Sequence, residues 1–266
     1  MNNVLFAWIR KEFTDVWRNG RLIIFLIVCF GIGLMNPITA KLTPMLIEMM
    51  QDQMKEMGIV YDPPTITALT SWEQFAKNIW IPLLVFVLMF GNIFTKEYGA
   101  HTLTPMVTKG LKKTTVLWGK AFLLILLWTA GYTVYFGVTL MYTEYYWGTE
   151  AELMGRVWDM TAMFYLYSLF ILTLLVFFSV LWREYSGVLV SMAAILGAEM
   201  IFGMIPKVTK VLPGRISSPG LLLQKGYEER YEYALRDFAV PFAVTLAVIV
   251  TLFVLSAILM KRKSVD

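Results

Sequence analysis

One cysteine and one histidine are all that this chain of 266 residues has of either type. A lone Cys29 excludes a disulfide framework or a thiolate metal site, and a lone His101 excludes a histidine-clustered zinc centre or a histidine proton relay. Charge is scarce as well: 16% of residues are Asp, Glu, Lys or Arg, where soluble chains sit near 25%. No G-x-x-x-x-G-K-[ST] stretch occurs, so the chain has no P-loop with which to hydrolyse ATP. Apolar residues make up 58% of the sequence, and they fall in long blocks.

Between consecutive charged residues lie six such blocks: 22–40, 78–95, 121–143, 160–182, 185–206 and 238–260. At about 1.5 Å rise per residue, each is long enough to cross a hydrocarbon core of about 30 Å. Backbone in lipid must satisfy its own hydrogen bonds, and a barrel would show short alternating segments instead. The reading is an all-α integral membrane protein of six transmembrane helices forming one transmembrane domain over residues 1–266.

Lys and Arg set the orientation. Thirteen of them, against five acids, fall before the first span, after the second, after the fourth and in the tail; the other side has ten against thirteen acids. Both termini are therefore expected in the cytoplasm. Aromatics near the span ends, such as Trp17, Trp80, Trp118 and Trp158, fit interfacial belts. The first block is too long for a signal-peptide h-region and lacks a small-residue cleavage site. No internal repeat is visible.

The connecting segments have patterns of their own. Over residues 4–18, Leu5, Ile9, Phe13 and Val16 recur at helical spacing opposite Arg10, Lys11, Thr14 and Arg18, as in an amphipathic interfacial helix, with Glu12 intruding near the apolar face. In the loop after the second span, Leu103, Met106, Val107 and Leu111 form a short apolar stripe with Pro105 in its first turn. That stripe reads equally as a docking helix or as a basic loop on anionic lipid. After the first span, Thr43-Pro44 reads as an N-cap followed by proline at the first helical position. It opens a separate helix with five methionines between 45 and 57, expected to lie at the bilayer surface. Thioethers suit Cu(I), but no His or Cys stands beside them, and methionine stripes more often pack. Ser71-Trp72-Glu73 opens a second short outer helix. The segment 207–237 is either a re-entrant hairpin or a surface loop.

Within the spans the one charge is Glu199. An intramembrane carboxylate costs about 2.5–3.5 kcal/mol on insertion scales near mid-bilayer, so it is expected to face protein or water and is a functional candidate. Beside it run Gly187, Ser191, Ala194 and Ala198, a small-residue face for close helix approach. Asn36 and Asn92 are able to hydrogen-bond between helices.

The ordered set resembles a permease subunit of the type 2 ABC exporters, in their bacterial branch. The resemblance rests on the basic amphipathic leader (Trp8 to Arg18), six spans with both ends inside, and the second-to-third loop. There Glu97, Gly99, Thr102-Leu103, Lys109, Lys112-Lys113 and Gly119-Lys120 match the family pattern. Asn36-Pro37 through Leu42 resembles the first-span exit of these permeases. Ala100-His101, Pro105 and Gly110 depart from the pattern.

The resemblance implies a coupling helix between spans 2 and 3, with Glu97, Gly99, Thr102, Leu103, Met106, Val107 and Lys109 docking on a separate ATP-binding-cassette subunit. Two such subunits would serve each complex and bind the ATP and Mg; the chain itself needs no cofactor or metal. It also implies a second permease copy or paralogue across a translocation path lined by the second and fifth spans, where Asn92, Gly187, Ser191, Ala198 and Glu199 are the candidate residues. The expected location is a bacterial plasma membrane. The expected partners are the ATPase subunits, the second permease and membrane lipid, with no nucleic acid.

The residues also bear on two other functions. An intramembrane protease needs paired acids with several His, or a Ser–His dyad within the spans, and His101 lies outside them. A stand-alone ion- or proton-coupled carrier would use Glu199, but such carriers are more comfortable with more than one buried ionisable group.

Overall fold

The computed structural model describes residues 2–56, 66–96, 112–148, 151–217 and 231–262. Their regular elements are all helical: α1 (Asn2–Arg18), α2 (Arg21–Glu56), α3 (Ala68–Asn78), α4 (Trp80–Phe90), α5 (Lys113–Trp147), α6 (Ala151–Leu181), α7 (Tyr185–Gly203), α8 (Pro206–Thr209), a 3₁₀ turn (Pro213–Ser217) and α9 (Tyr231–Arg262). Six stretches are long and apolar enough to cross a membrane: Arg21–Leu46, Ala68–Phe90, Lys113–Trp147, Leu153–Leu181, Tyr185–Gly203 and Asp237–Arg262. The spans alternate in direction, so α1 and the end of α9 share one end of the bundle, here the N-terminal end. The 3₁₀ turn and the start of α9 lie at the far end.

The first span does not stop where the sequence predicts. α2 runs unbroken for 36 residues through Pro37 and Pro44. Thr43 is not an N-cap: its hydroxyl donates backward to the Thr39 carbonyl at 2.7 Å, the i−4 bond open to a threonine inside a helix. The methionine segment therefore continues α2, with Met45 and Met49 exposed. Pro37 has no N–H and leaves the carbonyl of Gly33 without its helical donor. The Thr139 hydroxyl of α5 donates to that carbonyl at 2.9 Å. The two helices can close this far because residue 33 is glycine; a Cβ there would stand 2.8 Å from the Tyr135 carbonyl oxygen.

Around this contact is a polar cluster. Asn36, fully buried, donates to the Tyr135 hydroxyl at 3.2 Å and to Thr139 Oγ1 at 3.0 Å. It accepts from Asn78 Nδ2 at 2.9 Å, while the Tyr135 hydroxyl donates to the Phe75 carbonyl at 2.9 Å. The first three spans thus meet at one side chain, the interhelical role expected for Asn36.

The second span begins about ten residues earlier than the charge pattern placed it. α3 passes into α4 through Ile79, which keeps helical dihedrals, so the Trp72 segment is the first half of the span. Trp72, Phe75 and Ile79 are buried. Phe75 stacks on Tyr135 with ring centroids 4.6 Å apart, and Ser71 shares a 2.7 Å hydrogen bond with Thr143. Nearer the N-terminal end, Phe25, Phe86, Phe90 and Trp128 form an aromatic core, and the Trp128 indole donates to Ser168 Oγ at 2.7 Å. The fourth span is the most enclosed: 72% of its apolar window is buried, against 11% for the fifth and for the sixth.

Replacing Asn36 by Leu leaves Tyr135, Thr139 and Asn78 short of a partner. It should lower stability by about 1–3 kcal/mol, read as a shifted unfolding midpoint in detergent; an unchanged midpoint would mean that the cluster carries no weight.

Candidate functional site

Two polar assemblies stand out, one at each end of the bundle. At the N-terminal end, Lys120 lies about 10 Å along α5 from its first residue and is 1% exposed. Its ammonium donates to Glu12 Oε2 of α1 at 3.1 Å and to the Ile93 carbonyl at 3.0 Å, just beyond α4. Glu12 Oε1 faces Lys11 at 3.6 Å. Alongside, Arg21 at the start of α2 donates to Asn92 Oδ1 at 3.1 Å, so Asn92 belongs to this joint. These groups line a cavity of about 160 Å³ together with Asp15 and Lys96. The sequence places Glu12 as an intrusion near the apolar face of the leader. In the structure the buried face of α1 includes both Glu12 and Val16, one turn apart, while Phe13 is 40% exposed.

At the far end, the fifth span holds Glu199 against its neighbours. The Tyr167 hydroxyl of α6 donates to Glu199 Oε2 at 2.8 Å, and the backbone N–H of Gly214 donates to Oε1 at 2.6 Å. The 3₁₀ turn approaches this closely because residue 214 is glycine: a Cβ there would lie 3.0 Å from both Cγ and Cδ of Glu199. The carboxylate thus fastens the segment after α7 to α6 and α7. It also lines a cavity of about 730 Å³ with Trp80 and Tyr167 on one side and Leu196, Met200 and Met204 on the other. Trp80 stands edge-on to Tyr167, centroids 5.4 Å apart. The second and fifth spans therefore wall the same space. They meet again near the N-terminal end, where the Tyr185 hydroxyl donates to the Val87 carbonyl at 2.9 Å.

The remaining expected residues divide. Gly187 and Ser191 do not present an open face: the Trp182 indole folds back over them, its N–H donating to Ser191 Oγ at 2.8 Å, and a Cβ on Gly187 would meet the Trp182 ring at 3.1 Å. Ala194 is exposed and Ala198 half-buried. Glu97, Gly99, Thr102, Leu103, Met106, Val107 and Lys109 lie outside the described residues, as does the middle of the segment 207–237, residues 218–230. Among the described residues no group of three or more His, Cys, Asp or Glu is placed to hold a metal ion. No family model, curated protein or solved structure matches the chain.

The sequence places Lys120 among the basic residues of its side and in the Gly119-Lys120 match to the family pattern, and neither reading pairs it with Glu12. The available signal was its place after Gly119 at the head of an apolar block, where a lysine has little water. Removing one partner of a buried ion pair costs about 3–5 kcal/mol, whereas replacing both costs far less. Glu12→Ala should therefore destabilise the chain by about that amount, and Glu12→Ala with Lys120→Met should recover more than half of the loss. Unfolding midpoints in detergent decide it; a double variant as unstable as the single would sink the ion-pair account.

Proposed function

We propose that the chain is the membrane-spanning permease subunit of an ATP-driven transporter of the ABC-2 type, with both termini in the cytoplasm of a bacterial cell, exporting a hydrophobic or amphipathic compound. The observation that carries this reading is the joint at the N-terminal end. The loop between the second and third spans is flanked by Ile93 and Lys96 on one side and Lys120 on the other, and Lys120 ties both Ile93 and the leader helix together through Glu12. A force applied to that loop reaches α1, the second span and the third span through one buried ammonium.

In this reading the loop is a coupling helix. Glu97, Gly99, Thr102, Leu103, Met106, Val107 and Lys109 serve its docking on an ATP-binding subunit. Two such subunits, which bind the ATP and Mg, close on nucleotide binding. The joint passes the motion to the second span, whose Val87 carbonyl accepts from Tyr185 of the fifth, and the two helices tilt around the cavity that they share at the far end. The fifth and sixth spans, largely uncovered within the chain, supply apolar surface for lipid and for a second permease copy or paralogue.

The test is a pull-down of the tagged chain from its own membranes, with ATPase activity assayed on the eluate. An ATP-binding subunit should co-purify with the native sequence and be lost or uncoupled in Leu103→Asp and Val107→Asp, with the spans still inserted. A chain that comes out alone and intact under mild detergent would overturn the reading.

A further inference from the structure

We infer that the cavity between the second and fifth spans takes an amphipathic cation, its charged head at Glu199 and its apolar body against Trp80, Leu196, Met200 and Met204. As a substrate site this rests on the permease reading; as a binding site it does not.

Size comes first. A cavity of about 730 Å³ lies within the range of pockets that hold drug-sized ligands, roughly 300–1,000 Å³. Its walls are mainly apolar, and methionine side chains refit readily to ligands of different outline. A long apolar body is thereby accommodated without a fixed shape.

Charge decides the class. Glu199 accepts one hydrogen bond on each oxygen, both from neutral donors. They orient the carboxylate and stabilise its charge without cancelling it, and two of its roughly four acceptor sites stay open. Among the described residues no ion pair reaches it. The rings beside it, Trp80 and Tyr167, are the two side chains whose faces attract a cation most strongly. A ligand bearing a positive head supplies what the site lacks.

One group opposes this. Arg215 lines the same cavity. Its guanidinium sits 5.2 Å from the centroid of the Phe238 ring, and it borders a second cavity of about 350 Å³ that also contains Asp237 and Lys210. Its charge is thus partly met by an aromatic face of the sixth span, whereas the carboxylate of Glu199 has only its two neutral donors. The balance favours a cation, and the two residues make opposite predictions.

The experiment uses tetraphenylphosphonium and tetraphenylborate, near-identical in shape and opposite in charge. Their binding to the full chain in zwitterionic-lipid nanodiscs is measured by equilibrium dialysis, with empty discs subtracted. The phosphonium should bind saturably and the borate should not. Glu199→Gln should weaken phosphonium binding about tenfold or more, the worth of a contact to a partly buried charge. Arg215→Gln should strengthen it by about threefold, which keeps the test alive if the first variant fails to fold. Saturable borate binding as tight as the phosphonium's, an Arg215→Gln variant that binds phosphonium more weakly, or no saturable phosphonium binding at all would overturn the proposal. None of these readouts needs the ATPase, so a failed pull-down and a failed cation site are separate results.

Discussion

Backbone groups within an apolar bundle have no water to turn to, and Pro37 withholds one donor at the centre of the first span. The bond from Thr139 to the Gly33 carbonyl answers that deficit, and much of the packing follows from it. To deliver its hydroxyl, α5 must lie against α2 at Gly33. With α5 there, Tyr135 comes within reach of Asn36 and of the Phe75 carbonyl, which fixes α3 in turn. The three helices are held by directional bonds where apolar contacts alone would let them slide, since lipid tails compete with side chains for apolar surface. The fourth span then fills the remaining side, buried over most of its apolar length.

Against this fixed part the fifth span is held at few places. Tyr185 reaches the second span near one end and Glu199 reaches α6 and the 3₁₀ turn near the other. Trp182 caps the small residues of its first turns. Such an arrangement suits an element that changes its tilt more than one that bears the stability of the fold. The N-terminal joint has the opposite character, with a fully buried ammonium bridging three elements.

Much of this was legible beforehand. Six spans follow from the spacing of charge, and both Asn36 and Glu199 announce themselves as polar groups that an apolar helix must satisfy through neighbours. The boundaries were less legible, for identifiable reasons. Glu73 and Lys77 sit one turn apart on the outer face of α3 while Trp72, Phe75 and Ile79 occupy the inner one, so a rule that ends spans at charges cuts that helix in two. Thr43-Pro44 has the form of a helix start, yet Thr43 can bond to Thr39 within a continuing helix just as well. The closeness of Gly214 to Glu199, fifteen residues away along the chain, leaves no trace in local pattern at all. Nor does the folding-back of Trp182.

The short connection between α6 and α7, residues 182–184, gives the fifth span a lever's geometry. Its 19 residues make an arm of about 28 Å hinged at the Trp182 end, with the Glu199 carboxylate some three-quarters of the way along. A rotation of about 5° at the hinge carries that carboxylate roughly 2 Å, a distance no hydrogen bond of ordinary length survives. The arm therefore has two options when it swings: it lets go of Tyr167 and Gly214 together, or it drags the 3₁₀ turn with it. Either way, movement of the fifth helix and the shape of the far-end cover are a single coordinate.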